Sequence, residues 1–189
     1  MSEKLFIIFC FISFALFSQY KAGSIYLKDG SIITGDIKII KHHRIVLKKN
    51  DSKKGFDHNL VTKVVFNDSI EHHYKKRKKT ILLLKREVSG PLELYSLASY
   101  FSGFTDRSGF SDGSGASMSM NFYLGKKGND FVNSIPSNLK KKRFRKFITE
   151  YAPNCKKFLD KIQDKKSIRS NFDSNIVSII NYINNNCKE

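Results

Sequence analysis

Carboxylates are scarce in this chain. Its 189 residues carry 17 Asp and Glu against 34 Lys and Arg, a formal net charge of +17. No acidic pair stands out for glycoside hydrolysis, which needs two carboxyl groups flanking one bond. Asp106 and Asp112 lie in a Gly/Ser-rich stretch, but the acidic density there is too low for a calcium shell of about six to eight oxygens. Cysteine is scarce as well: of three residues, Cys10 sits inside the N-terminal apolar run, and Cys155 with Cys187 cannot make a zinc site alone. Gly113-Ser114-Gly115 is not followed by the Gly-Lys-Ser/Thr of a phosphate-binding loop. No Gly-x-Ser-x-Gly nucleophile elbow is read among the serines near glycine. These absences speak against an enzyme and against a resident metal or cofactor.

Long apolar runs are missing too. None reaches the roughly 20 residues that a membrane-spanning helix needs. The longest, Leu5 to Phe17, follows Lys4 and is closed by Ser18, Gln19, Ala22 and Gly23. A charged start, an apolar stretch and a small or polar exit describe a secretory signal peptide over 1–18, with cleavage expected after Ser18. The expected location is the periplasm or cell envelope, with release as the alternative. About 170 residues would remain, enough for one domain or two small ones.

What is abundant is positive charge, in clusters at Lys75 to Lys79, Lys140 to Arg145 and Lys156-Lys157. In an exported protein the expected anionic partners are envelope lipids or glycans, or another envelope protein, rather than nucleic acid. Lys75, Lys76, Arg77, Lys78 and Lys79 form one candidate contact surface. Phe101, Phe104 and Phe110, in and beside the Gly/Ser-rich loop 102–119, form another. His42-His43 and His72-His73 are adjacent pairs, with His58 between them. Neighbours on a strand point to opposite faces, so each pair would lend one ligand at most. Both pairs are read as exposed turns.

Short β segments come first. Ser24 to Leu27, a turn at Lys28-Asp29-Gly30-Ser31, Ile32 to Ile40 with a bulge or bend at Gly35, Arg44 to Leu47, Phe56 to Leu60 and Lys63 to Phe66 make the N-terminal set. Lys49 to Gly55 reads as a polar loop. Together these predict a small SH3/Sm-like β-barrel or curved sheet over 24–70. Residues 80–127 follow as a β-hairpin extension. Its parts are an apolar strand from Thr80 to Lys85, a turn at Val88 to Pro91, a strand from Leu92 towards Phe101, and a return strand at Asn121 to Leu124.

The stretch 137–187 reads as a helical unit of about three helices, completing an α+β chain. Leu139, Phe144, Phe147, Ile148 and Tyr151 give the first apolar stripe. Pro153 breaks that helix and Asn154 can cap the next, from Cys155 to Ile162. Asn171 or Asp173 can cap the last, which carries Ile176, Val177, Ile179, Ile180 and Ile183. Antiparallel final helices bring Cys155 to Cys187, and an oxidising compartment favours a disulfide between them. It would close a loop of about 33 residues.

The order of these features resembles uncharacterised exported envelope proteins of Bacteroidetes-type bacteria. The matching parts are the Leu27-Lys28-Asp29-Gly30-Ser31 opening with Gly35, the Gly90 to Tyr95 segment, and the Gly/Ser loop. Tyr123 to Lys126 and a tail with Cys155, Lys161-Ile162 and Cys187 complete the match. The resemblance covers nearly the whole mature chain and implies envelope localisation and architecture, not a reaction. Ile25 to Phe66 also resembles Sm-like and SH3-like barrels, of which the Sm type binds RNA. The expected function is therefore a non-catalytic envelope protein that binds a partner or serves as a structural part. The alternative is a nucleic-acid-binding small barrel whose N-terminus only imitates a signal.

Overall fold

The computed structural model describes residues 20–40, 44–101, 117–136, 142–162, 165–172 and 175–187. The expected signal peptide 1–18, the His42-His43 pair, Phe104 and Phe110 lie outside them. The chain divides after Tyr74 into two compact units.

The first unit holds β1 (Lys21–Leu27), β2 (Ile32–Ile40), β3 (Arg44–Lys49), β4 (Ser52–Phe56), β5 (Val61–Phe66) and the start of β6 (Glu71–Arg77). The turn before β2 is fixed locally. The Ser31 amide and hydroxyl both donate to Asp29 Oδ1, at 2.9 and 2.6 Å, and Gly30 takes φ 86°. These bonds hold the Asp29 carboxyl below its ordinary range. Alternate positions turn inward, so Ile25, Ile37, Ile45, Val61 and Val64 are at most 1% exposed, as a half-buried sheet requires.

No barrel closes. β1 has β2 on one side and β5 on the other, as it would in a barrel, but β4 pairs with β3 and ends the ladder, so the described strands leave an open edge. The ten described strands follow the order β10-β9-β8-β7-β6-β5-β1-β2-β3-β4, an open antiparallel sheet in place of the expected SH3/Sm-like barrel. The free edge is guarded: Lys53 and Lys54 of β4 are exposed, and charged edge strands resist pairing with other chains.

Three local expectations change. Lys49 to Gly55 is not a loop, because Asn50 and Asp51 both take positive φ (49° and 59°) and turn β3 directly into β4. That is the two-residue hairpin turn whose twist suits flanking strands. Consequently the strand once expected at Phe56 to Leu60 ends at Phe56. Gly35 makes no bulge; it pairs regularly with Gly23, and a Cβ there would meet Leu47 Cδ1 at 2.9 Å and the Lys48 carbonyl at 3.0 Å. The glycine serves close approach, not irregular geometry.

The second unit contains the rest of β6, β7 (Thr80–Val88), β8 (Leu92–Phe101), β9 (Ser117–Lys126) and β10 (Asn133–Ser134). It also contains α1 (Lys142–Tyr151), α2 (Lys156–Lys161), α3 (Lys165–Phe172) and α4 (Ile176–Asn186). The strands and helices expected as separate regions share one core. Leu92, Leu94 and Leu124 pack with Phe144, Ile148, Phe158, Ile168 and Ile180. The other sheet face buries Leu82, Leu84, Tyr95, Tyr123 and Val132. The described helices number four, because α3 forms on Ile168 and Phe172, one turn apart and both buried. The last helix is capped by Asn175, whose Oδ1 accepts from the Val177 amide at 2.9 Å, not by Asn171 or Asp173.

Candidate functional site

The second unit carries a groove of about 820 Å³ that could hold a ligand. Small-molecule sites usually span roughly 300 to 1,000 Å³, so it can hold a whole small molecule. Its walls come from element ends. The turn before β8 supplies Pro91 and the start of β8 Leu92, the end of β9 supplies Lys126, and the end of α1 with the residue after it supplies Tyr151 and Ala152. Pro153 stops α1 because it cannot continue the amide ladder, and the chain then turns through Asn154 into α2.

The far wall is the disulfide. Cys155 and Cys187 are bonded, with Cα atoms 5.3 Å apart, as the antiparallel-helix argument expected. Cys155 occupies the N-cap position of α2, where its side chain makes no cap hydrogen bond, so the expected Asn154 cap does not form. Cys187 is the C-cap of α4. The bridge thus ties the start of one helix to the end of the other and lines the groove between them.

The groove floor is held by polar bonds that are already satisfied. Asn184 Oδ1 accepts from the Leu92 amide at 2.9 Å while its Nδ2 donates to the Leu92 carbonyl at 2.9 Å. The side chain thereby replaces a neighbouring strand at the point where β8 begins. Tyr151 donates to the Leu124 carbonyl at 3.2 Å and accepts from Asn133 Nδ2 at 2.9 Å. Burial pushes the Tyr151 phenol above its ordinary range, with the Glu150 charge adding and the Asn133 bond opposing. It is therefore a neutral donor at physiological pH. The lining is mainly apolar and carries Lys126, Lys156 and Lys157, all exposed, and none of its described residues is acidic.

The expected basic contact surface divides. Lys75 is buried, 8% exposed, and turned inward. Its ammonium donates to the Asn129 carbonyl at 2.7 Å, lies 3.8 Å from Glu93 Oε2 and sits 5.3 Å from the Tyr95 ring centre. Glu93, also buried, accepts from the Tyr95 hydroxyl at 2.8 Å and lies 3.4 Å from Arg86. This is the way a buried charge is tolerated, by pairing and hydrogen bonding. Lys76 and Arg77 continue β6 and are exposed, over the rings of Phe131 and Tyr123 respectively. Lys78 and Lys79 form the exposed turn into β7, Lys78 at φ 53°. Phe101 ends β8.

The histidines fall differently from expectation. His72 and His73 are half-buried on β6, not in an exposed turn. His73 Nε2 lies 2.8 Å from Glu71 Oε2, and His72 meets the Phe66 ring edge-on at 5.6 Å. Among the described residues no three metal-ligating side chains gather. Gly109-Phe110-Ser111-Asp112-Gly113 spells the spacing of a nucleophile elbow. It lies outside the described residues. No described helix is long and apolar enough to cross a membrane.

Sequence reading missed the groove because its walls come from 91–92, 126, 151–157 and 183–187. The one signal that could have pointed there is the Lys156-Lys157 pair beside Cys155. The chain matches no protein-family model, no curated protein and no solved structure.

Proposed function

We propose that the chain is an exported, non-catalytic binding protein of the cell envelope that holds a small ligand in the groove of its second unit. The observation that carries this reading is the groove itself: ligand-sized, mainly apolar and rimmed by lysines. The disulfide across it is compatible with an oxidising compartment, and the N-terminal apolar run fits a signal. The sequence supplies no catalytic constellation around which to build a reaction. The small-barrel alternative loses its frame, since the N-terminal strands form an open sheet.

The test is the intact native mass of the protein isolated from its own cells, before and after reduction with thiol alkylation. The expected result is a chain lacking about its first 18 residues, with both remaining cysteines blocked until reduction and a small non-covalent adduct. A full-length chain with free thiols and no adduct would overturn the reading.

A further inference from the structure

The groove also carries information about the chemistry of its occupant. Three observations converge. First, its described lining contains Lys126, Lys156 and Lys157 and no carboxylate, so the local field favours an anion. Second, the rest of the lining is mainly apolar, with Leu92, Ala152, Ile183 and the disulfide among its surfaces. Lysine stems extend such a surface while their ammonium groups stay in water. Third, apart from exposed Asn154 the uncharged polar side chains of the lining are engaged within the protein. Asn184 is spent on Leu92, Tyr151 on Leu124 and Asn133, and Asn186 donates to the Tyr182 carbonyl at 2.9 Å.

A glycan needs many donors and acceptors aimed at its hydroxyls, and beside the lysines the lining leaves it little more than Asn154. An acyl chain needs none. It needs apolar wall along its length and a cation at its head. We propose that the groove binds a free single-chain anionic amphiphile of the fatty-carboxylate type, the chain lying along the Leu92–Ile183 wall and the head meeting the lysine rim. This rests on the reading of the groove as the binding site and adds the ligand class. A concave pocket of about 820 Å³ favours a single molecule taken out of the bilayer over a flat lipid surface.

The experiment is calorimetric titration of the full disulfide-bonded protein below the micelle threshold. The probes are laurate, dodecanol, dodecyltrimethylammonium and vesicles of anionic phospholipid, with amide shifts recorded in parallel. Laurate is expected to bind at a single saturable site and to shift Leu92, Ala152 and Ile183, with dodecanol about tenfold weaker. The double variant Lys156→Glu/Lys157→Glu should weaken laurate about tenfold. Lys53→Glu/Lys54→Glu on β4, an equal change in net charge, should stay within about twofold. All four lysines are exposed, so both variants should fold, which circular dichroism checks.

Dodecanol or the cation binding as tightly as laurate would overturn the ligand class while leaving the groove as a site. Equal losses in the two double variants, or vesicle binding without laurate binding, would also overturn it. Absence of shifts at Leu92, Ala152 and Ile183 with every probe would overturn the groove reading as well.

Discussion

The disulfide should be the largest single stabilising device of the second unit. Cys155 and Cys187 are 32 positions apart, and closing such a loop removes about 12 cal/mol/K from the unfolded chain, or about 3.7 kcal/mol at 25 °C. Replacing both residues by serine leaves the helices intact but frees the start of α2 from the end of α4. The described helices all lie in this unit, so helical circular dichroism during urea unfolding follows it specifically. With a urea slope of about 1 to 3 kcal/mol/M, Cys155→Ser/Cys187→Ser should lower the midpoint by roughly 1.2 to 3.7 M. Reduction of the native protein should give the same shift. A loss under about 1 kcal/mol at unchanged slope would refute the reasoning, because the apolar contacts around Phe158 and Ile183 would then hold α2 to α4 unaided.

Further outcomes follow from single contacts. Asn184→Ala should cost about 2 to 4 kcal/mol in urea unfolding, because it leaves both the amide and the carbonyl of Leu92 without their partner. Gly90→Ala should cost about 1 to 3 kcal/mol in the same assay, since its methyl would overlap the Asn184 carboxamide, with Cγ at 2.7 Å. Lys75→Met should cost about 3 kcal/mol by leaving buried Glu93 short of a cation. Lys75→Met with Glu93→Leu should recover part of that loss, which a double-mutant cycle measures.

Tyr74 sets an alkaline limit on the first unit. Burial, then the Asp57 carboxylate, pushes its phenol from 10.0 up to about 12. The folded state holds the proton more tightly, so this contribution is complete below about pH 10 and is lost as the pH rises through about 12. Tyr74→Phe should flatten the fall of the thermal midpoint over that window. An unchanged slope would count against the burial argument.

Local rules made much of the fold legible. Asp29-Gly30 announced the first turn, the apolar alternation of Leu92 to Tyr95 announced β8, and the stripe Ile176 to Ile183 announced the last helix. The disulfide followed from the same helical reading. What escaped depended on partners distant in sequence. β6 carries Glu, two His, two Lys and an Arg, a composition that suggests a solvated turn. It becomes a strand because Lys63, Val64 and Val65 of β5 pair with it, and because Lys75 finds Glu93 and the Asn129 carbonyl. β4 escaped because Asn50-Asp51, set among lysines and serine, has the composition of a polar loop as much as of a two-residue turn. α3 carries only two apolar residues, yet Ile168 and Phe172 at i and i+4 are the spacing that would have revealed it. The expected barrel failed for a topological reason: β4 pairs with β3 and ends the ladder, and composition does not say whether two edge strands will meet.

The central claim is that the groove beside Cys155–Cys187 is where this protein meets a ligand. Amide shifts recorded during a laurate titration test it most directly. The account predicts saturable shifts confined to Leu92, Lys126, 151–157 and 183–187, with the first unit silent. Shifts spread over the lysines of both units in proportion to exposure, and abolished by moderate salt, would contradict it.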